Sequence, residues 1–183
     1  MRTDNPWTVT STKTVYQNPW IKVREDAVVT PTGKQSIYGV MESNDSVMVA
    51  ALNENDELYL VRAFRYPDSS WGWELPGGGG DKQDPITASK RELEEETGIV
   101  AKSWERLGET LVCNGLMTER MTTYLAYDLS FDGTKESADE QIDEASRFFS
   151  MDDIDTMINH GEINDSQSIT GIHLAQKWLT RNR

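Results

Sequence analysis

GGGGDKQDPITASKRELEEETGI, residues 77–99, opens on four glycines and closes on a cluster of acids. Gly77 to Gly80 reads as a glycine-rich loop, able to take positive φ and to let backbone approach a ligand closely. Asp84-Pro85 is a helix entrance, with Asp as N-cap and Pro at the first helical position. Ile86 to Thr97 holds no breaker, and Gly98 suits a left-handed stop. The stretch predicts a loop, a helix and a glycine cap.

Charge on that helix is placed against local rules. Glu92, Glu95 and Glu96 are spaced to share one face. With Glu94 they crowd acids into the last turns, where the helix dipole is already negative. A solvated acidic face is one reading. The other is a site for a hard divalent cation, which takes oxygen ligands and neutralises carboxylates. The glycine loop upstream favours the second. Arg91 lies four residues before Glu95, within reach across one turn, and Lys90 and Glu94 share that spacing.

These residues resemble the signature of the Nudix hydrolases: Gly, five residues, Glu, seven residues, then Arg-Glu-apolar-x-Glu-Glu-x-Gly-apolar. Gly77 and Arg91-Glu92-Leu93-Glu94-Glu95-Glu96-Thr97-Gly98-Ile99 fit it. Gln83 stands where the signature has its first Glu, and Gln cannot be an anionic ligand. The resemblance runs from about residue 20 to about residue 175. It implies an α+β chain with the Nudix fold, a mixed β-sheet sandwiched between helices, plus a small N-terminal antiparallel β-sheet. It implies Glu92, Glu95, Glu96 and the carbonyl of Gly77 as ligands of Mg²⁺, with Mn²⁺ as an alternative. Arg91 would position the glutamates, and Glu95 would serve catalysis as well as binding.

Composition sets bounds. The 183 residues suffice for one sizeable core with a small N-terminal appendage. A net charge of −13 argues against nucleic acid or an anionic membrane as partner. It does not exclude a phosphate substrate, because a bound metal inverts the local field. The single cysteine, Cys113, rules out an internal disulfide and reads as a small buried strand residue. No apolar run reaches membrane-spanning length and the N-terminus carries no apolar signal segment, so a cytoplasmic protein is expected.

Residues 1–19 are polar and read as a loose arm or short edge strand. Residues 20–29 and 34–40 alternate around the Pro31-Thr32-Gly33 turn signal, as paired strands do. They resemble the small sheet of the ADP-ribose pyrophosphatases, a Nudix subfamily in which it swaps across a two-fold axis and helps clamp the adenine. The expected division is 1–43 for this sheet, which would form a homodimer, and 44–183 for the hydrolase domain. Trp20 and Tyr38 would stack on the base or pack the sheet. Residues 46–52 and 57–63 read as a hairpin buried on both faces. Arg65, just past it, suits a phosphate or a surface ion pair; in the subfamily an Arg in a similar Arg-Tyr-Pro stretch contacts substrate. Glu74, in an otherwise apolar strand, needs a partner if buried, either a metal or an arginine.

Beyond the helix, 104–112 and 122–129 read as strands. In the loop between them Glu119 matches a subfamily acid, to hold a sugar hydroxyl or to pair with Arg120. Residues 130–146 are acidic. The subfamily takes a metal-bound or base carboxylate from such a loop, and aligning on Ile142 gives Glu140 that place, with Asp139 and Glu144 as fallbacks. Arg147-Phe148-Phe149 reads as a short strand, Ser150 to His160 as a capped helix, and Asp165 or Ser166 as the cap of a last helix. His160 and His173 have no ligand-spaced partner. The resemblance implies hydrolysis of a nucleoside diphosphate sugar, ADP-ribose foremost, to AMP and a sugar phosphate. The alternatives are another nucleotide such as GDP-mannose or a dinucleoside polyphosphate, or a non-catalytic module that binds ADP-ribose.

Overall fold

A computed structural model describes residues 5–135 and 142–182. Along the chain run β1 (Thr8–Gln17), β2 (Ile21–Val29), β3 (Gln35–Ser43), β4 (Ser46–Ala51), β5 (Leu58–Arg65), β6 (Ser70–Glu74), β7 (Gly77–Gly79), α1 (Pro85–Thr97), β8 (Val100–Leu111), β9 (Arg120–Ser130), β10 (Ile142–Phe149), α2 (Met151–Asn159) and α3 (Ser166–Asn182). Two compact units result: Met1–Asn44 with Leu111–Arg120, and Asp45–Thr110 with Met121–Arg183. None of the helices among the described residues is long and apolar enough to cross a membrane.

The first unit is an antiparallel sheet in the order β1-β2-β3. Its outer strand corrects the sequence reading, which expected a loose arm or short edge. Thr8 to Gln17 is rich in β-branched Thr and Val, and these favour extended pairing even where their polarity suggests a loop. Asp26 is buried, and Arg24 pairs with it and with Glu42, which Lys22 also holds at 2.7 Å. The Leu111–Arg120 segment joins this unit through a bridge between Met41 and Met117. Cys113 is exposed in that segment and not a buried strand residue.

In the second unit, β7-β4-β9-β8 form one sheet and β10-β5-β6 another. The expected β4–β5 hairpin is there only at its turn, where Leu52 and Leu58 form an antiparallel bridge and the Asn53 N–H donates to the Glu57 carbonyl at 3.0 Å. Beyond it the strands part and enter different sheets. β4 instead runs parallel to β9, from Ser46 beside Met121 to Ala51 beside Ala126. Its inward burial follows: Val47 to Ala51 are all buried, and α1 and α3 both pack on it. Val49 and Ala51, alternate residues and therefore on one face, join Leu93 and Ile99 of the α1 region, Tyr59 and Val61 of β5, and Ala126 in one apolar cluster. The glycines 77–79, expected as loop, are a short strand antiparallel to β4. A Cβ at Gly77 would stand 2.2 Å from the Val47 carbonyl oxygen, so only glycine lets these backbones pair. β10 is longer than the short strand read from sequence and carries an irregularity between Asp143 and Arg147.

Candidate active site

The site grows from α1. Asp84 stands at its N-cap with extended backbone and no side-chain bond, Pro85 follows, and Gly98 closes the helix at φ 71° with its N–H on the Glu94 carbonyl. Leu93 and Ala88 are fully buried and anchor one stripe. Glu92 and Glu96, one turn apart, are buried too, while Glu95 keeps 38% of its side chain exposed. Two of the three acids on that face are therefore withdrawn from solvent.

What lies against it is the side-chain-free strand β7. The Gly77 N–H donates to Glu96 Oε2 at 2.9 Å. A Cβ on Gly78 would stand 2.7 Å from the Glu92 carboxylate, so the absence of a side chain there makes room for that carboxylate. Arg91 ties the group together. It donates to Glu95 at 2.8 Å, to Glu92 at 2.7 Å, and to the Gly79 carbonyl at 3.0 Å. Its guanidinium also reaches Asp81 at 3.3 Å and the Gln83 amide oxygen at 3.4 Å. Burial disfavours the charged Arg91, but the Glu92 charge and the bonds to Glu95 and Glu92 outweigh it and raise its pKa.

The antiparallel register sets Arg65, at the end of β5, opposite Ser70, and Glu74, at the end of β6, opposite Val61. Arg65 and Val61 share a face, and the long Arg65 side chain reaches back along it to Glu74. Glu74 is buried, and its carboxylate accepts from Nε and Nη2 of Arg65. The bond to Glu74 holds Arg65 well above the ordinary guanidinium range against the opposing effect of burial, and Glu96 and Asp165 add to it through space. Glu74 is thus an arginine's partner, and Arg65 still has 55% of its side chain exposed.

The other sequence candidates fall elsewhere. Trp20, Tyr38 and Glu119 belong to the first unit. Trp20 is 75% exposed and precedes β2, whereas Tyr38 sits opposite Asp26, about 20 Å along the strand at ~3.4 Å per residue. One chain therefore does not bring these two rings together. Tyr38 donates to the Gly115 carbonyl and stacks edge-on with Trp7. Glu119 accepts from the Ser43 hydroxyl at 3.3 Å. Glu140 and Asp139 lie outside the described residues; Glu144 is exposed on β10. Lys90 and Glu94 are not partners in the structure: Lys90 lies over the Trp104 ring, and Glu94 accepts from the Thr134 N–H at 3.2 Å. Sequence reasoning passed over Asp81 and Gly78. The first looks like an ordinary turn acid, and the second differs from its glycine neighbours only once Glu92 is placed.

Among the described residues no three carboxylate, thiolate or imidazole groups stand gathered as a ready ligand cage. The donors beside β7 are all oxygens, two of the carboxylates are buried, and a glycine leaves space at one of them. Oxygens of that kind suit a hard divalent cation, and Glu92, Glu95 and Glu96 are the residues that could hold one.

Comparison with known proteins agrees with the geometry. Residues 42–168 match the family model of the NUDIX domain, and residues 7–41 match that of the nucleoside diphosphate sugar hydrolase N-terminal domain. The chain is 28% identical over 164 residues to an ADP-ribose pyrophosphatase of Mycobacterium tuberculosis (strain ATCC 25618 / H37Rv), covering 88% of this chain and 79% of that one. It is 26% identical over 163 residues to an ADP-ribose pyrophosphatase of Bacillus subtilis (strain 168), covering 88% of each. A crystal structure of an ADP compounds hydrolase superposes with a TM-score of 0.86 at 18% identity, over 99% of this chain and 98% of that one, and so shares the fold. Members of this family generally use divalent metal cations. With the signature on α1, the glycine strand against it and a domain match over most of its length, the chain belongs to the Nudix family of hydrolases.

Proposed function

We propose that the protein hydrolyses the pyrophosphate bond of ADP-ribose, or of a closely related nucleoside diphosphate sugar, to a nucleoside monophosphate and a sugar phosphate. The observation that carries this reading is the pair of buried carboxylates, Glu92 and Glu96, set against a strand of glycines. Mg²⁺ held there by Glu92, Glu95, Glu96 and the Gly77 carbonyl would neutralise the diphosphate and make water a better nucleophile. The chain's own residues do the rest. Arg91 keeps Glu92 and Glu95 in place. Glu96 is oriented by the Gly77 amide. Arg65 has Nε and Nη2 on Glu74, which fixes the plane of its fork and leaves Nη1 to a phosphate oxygen. Glu140, in the acidic segment before β10, takes the proton from the attacking water. Glu119 binds a ribose hydroxyl. Trp20 and Tyr38, from two copies of the chain, face the base, so the active form is a homodimer.

Glu96→Gln tests the core of this. Gln retains an acceptor for the Gly77 amide, so the fold and melting temperature should hold, while turnover of ADP-ribose at saturating Mg²⁺ should fall by about 10²-fold or more, as loss of a charged group acting in the transition state does. Near-normal turnover of that variant would sink the scheme. A panel of ADP-ribose, GDP-mannose and a dinucleoside polyphosphate, read as phosphate released after phosphatase treatment, separates the substrates. A protein that binds ADP-ribose with Mg²⁺ and leaves it intact is a binding module instead.

A further inference from the structure

The turn between β7 and α1 is shaped to meet Arg91. The Gln83 N–H donates to the Gly80 carbonyl at 2.7 Å and closes four residues into a turn. Its central residues, Asp81 and Lys82, have φ of 46° and 62°. Positive φ at both positions is the type I′ geometry, which suits Asn, Asp or Gly. Asp81 tolerates it; Lys82 adopts it against the preference of its side chain. The return on that strain is placement. Asp81 and Gln83, two residues apart, both reach the guanidinium of Arg91, whose other contacts are Glu92, Glu95 and the Gly79 carbonyl.

Consider the charge around this arginine. Gln83 occupies the position at which the signature carries Glu. Its amide oxygen accepts the Arg91 Nε–H at 3.4 Å but brings no charge. Asp81, its side chain 66% exposed, brings one from two residues earlier, at 3.3 Å from Nη2. An uncompensated guanidinium beside Glu92 and Glu95 competes for their lone pairs and repels a dication between them. A third acid on Nη2, the nitrogen that also holds Glu92, weakens both effects.

We propose that Asp81 is a positioning residue that supplies, through Arg91, the negative charge that Gln83 lacks, and so tunes the grip of Glu92 and Glu95 on a divalent cation. This rests on the reading of those glutamates as metal carboxylates. It is tested on the full chain without substrate, by titrating Mn²⁺ and following free Mn²⁺ by electron paramagnetic resonance, with kcat and KM for ADP-ribose measured alongside. D81N should raise the Mn²⁺ Kd about threefold, the scale of one partly exposed ion pair, and lower kcat similarly with KM little changed. Q83E placed in the D81N background should recover most of the loss, D81E should retain the affinity, and Q83E should act more strongly on D81N than on the wild type. The proposal is overturned if D81N binds Mn²⁺ as the wild type does, or if Q83E changes both by one common factor, because additive effects mean that neither charge stands in for the other. A wild-type chain that binds no Mn²⁺ overturns it as well. Failure of the substrate reading looks different: no nucleotide is hydrolysed, yet the Mn²⁺ pattern of the variants is kept.

Discussion

Gly77 and Gly78 are neighbours of one residue type, yet they answer to different constraints. A methyl group at 77 would meet backbone, the Val47 carbonyl oxygen at 2.2 Å, in a buried strand. At 78 it would meet the end of a side chain, the Glu92 carboxylate. Gly77→Ala should therefore cost stability, about 1–3 kcal/mol as overpacking does. Gly78→Ala should leave the melting temperature closer to the wild type and displace Glu92, costing about 10²-fold in kcat. Thermal melts and turnover on the two variants decide it; equal melting losses would contradict the distinction. At this scale the sequence was readable where rules are local. Asp84-Pro85 and Gly98 bounded α1, and the spacing of Arg91 and Glu95 foretold a contact found at 2.8 Å. It was opaque where a role depends on what lies opposite, as with Gly78 under Glu92, or Glu94 on the backbone of Thr134.

Elements show the same divide. β1 was underestimated because its threonines are polar, although their branching at Cβ is what a pleated strand accommodates. β4 and β5 were joined into a hairpin because a polar turn separates two apolar runs. Local pattern says where strands lie and nothing about which sheet each enters, and β4 takes its parallel partner from about 75 residues away. The first unit's sheet offers a test by pH. The Lys22 hydrogen bond, opposed by burial and aided by Arg24, holds the Glu42 carboxyl below the usual carboxylate range. Its ordinary value, that of the unfolded chain, is 4.5. A depressed folded pKa gives stability that is present above the unfolded value and lost as pH falls through the folded one. Glu42→Gln should thus lower the stability of the sheet by roughly 0.5 kcal/mol near neutrality, given how exposed the pair is. The difference should vanish in acid. Amide exchange in β2 and β3 across pH 3 to 7 reads it, and a difference that persists at the acid end would refute it.

On the scale of the whole molecule, apolar surface is left open on the first unit. Val9, Val15, Tyr16, Trp20 and Ile37 are all exposed there, in a chain whose net charge of −13 otherwise favours solvent. The proposed homodimer would cover such surface. Ile37→Glu should shift the protein from dimer to monomer in light scattering, and a wild-type protein that is monomeric at micromolar concentration would remove the proposal. The family and the α1 signature were legible from the chain alone; the division into units was less so, since Leu111–Arg120 joins the first unit across a long gap in sequence. The parallel ladder of β4 and β9 also bears on how the chain comes into being. During synthesis β4 emerges early, with Val47 to Ala51, all buried in the finished fold, still uncovered. Its parallel neighbour, which spans Met121 to Ala126 in the ladder, is still untranslated. At a ribosomal pace of about 5–20 residues per second, that strand waits several seconds with one edge open to other nascent chains.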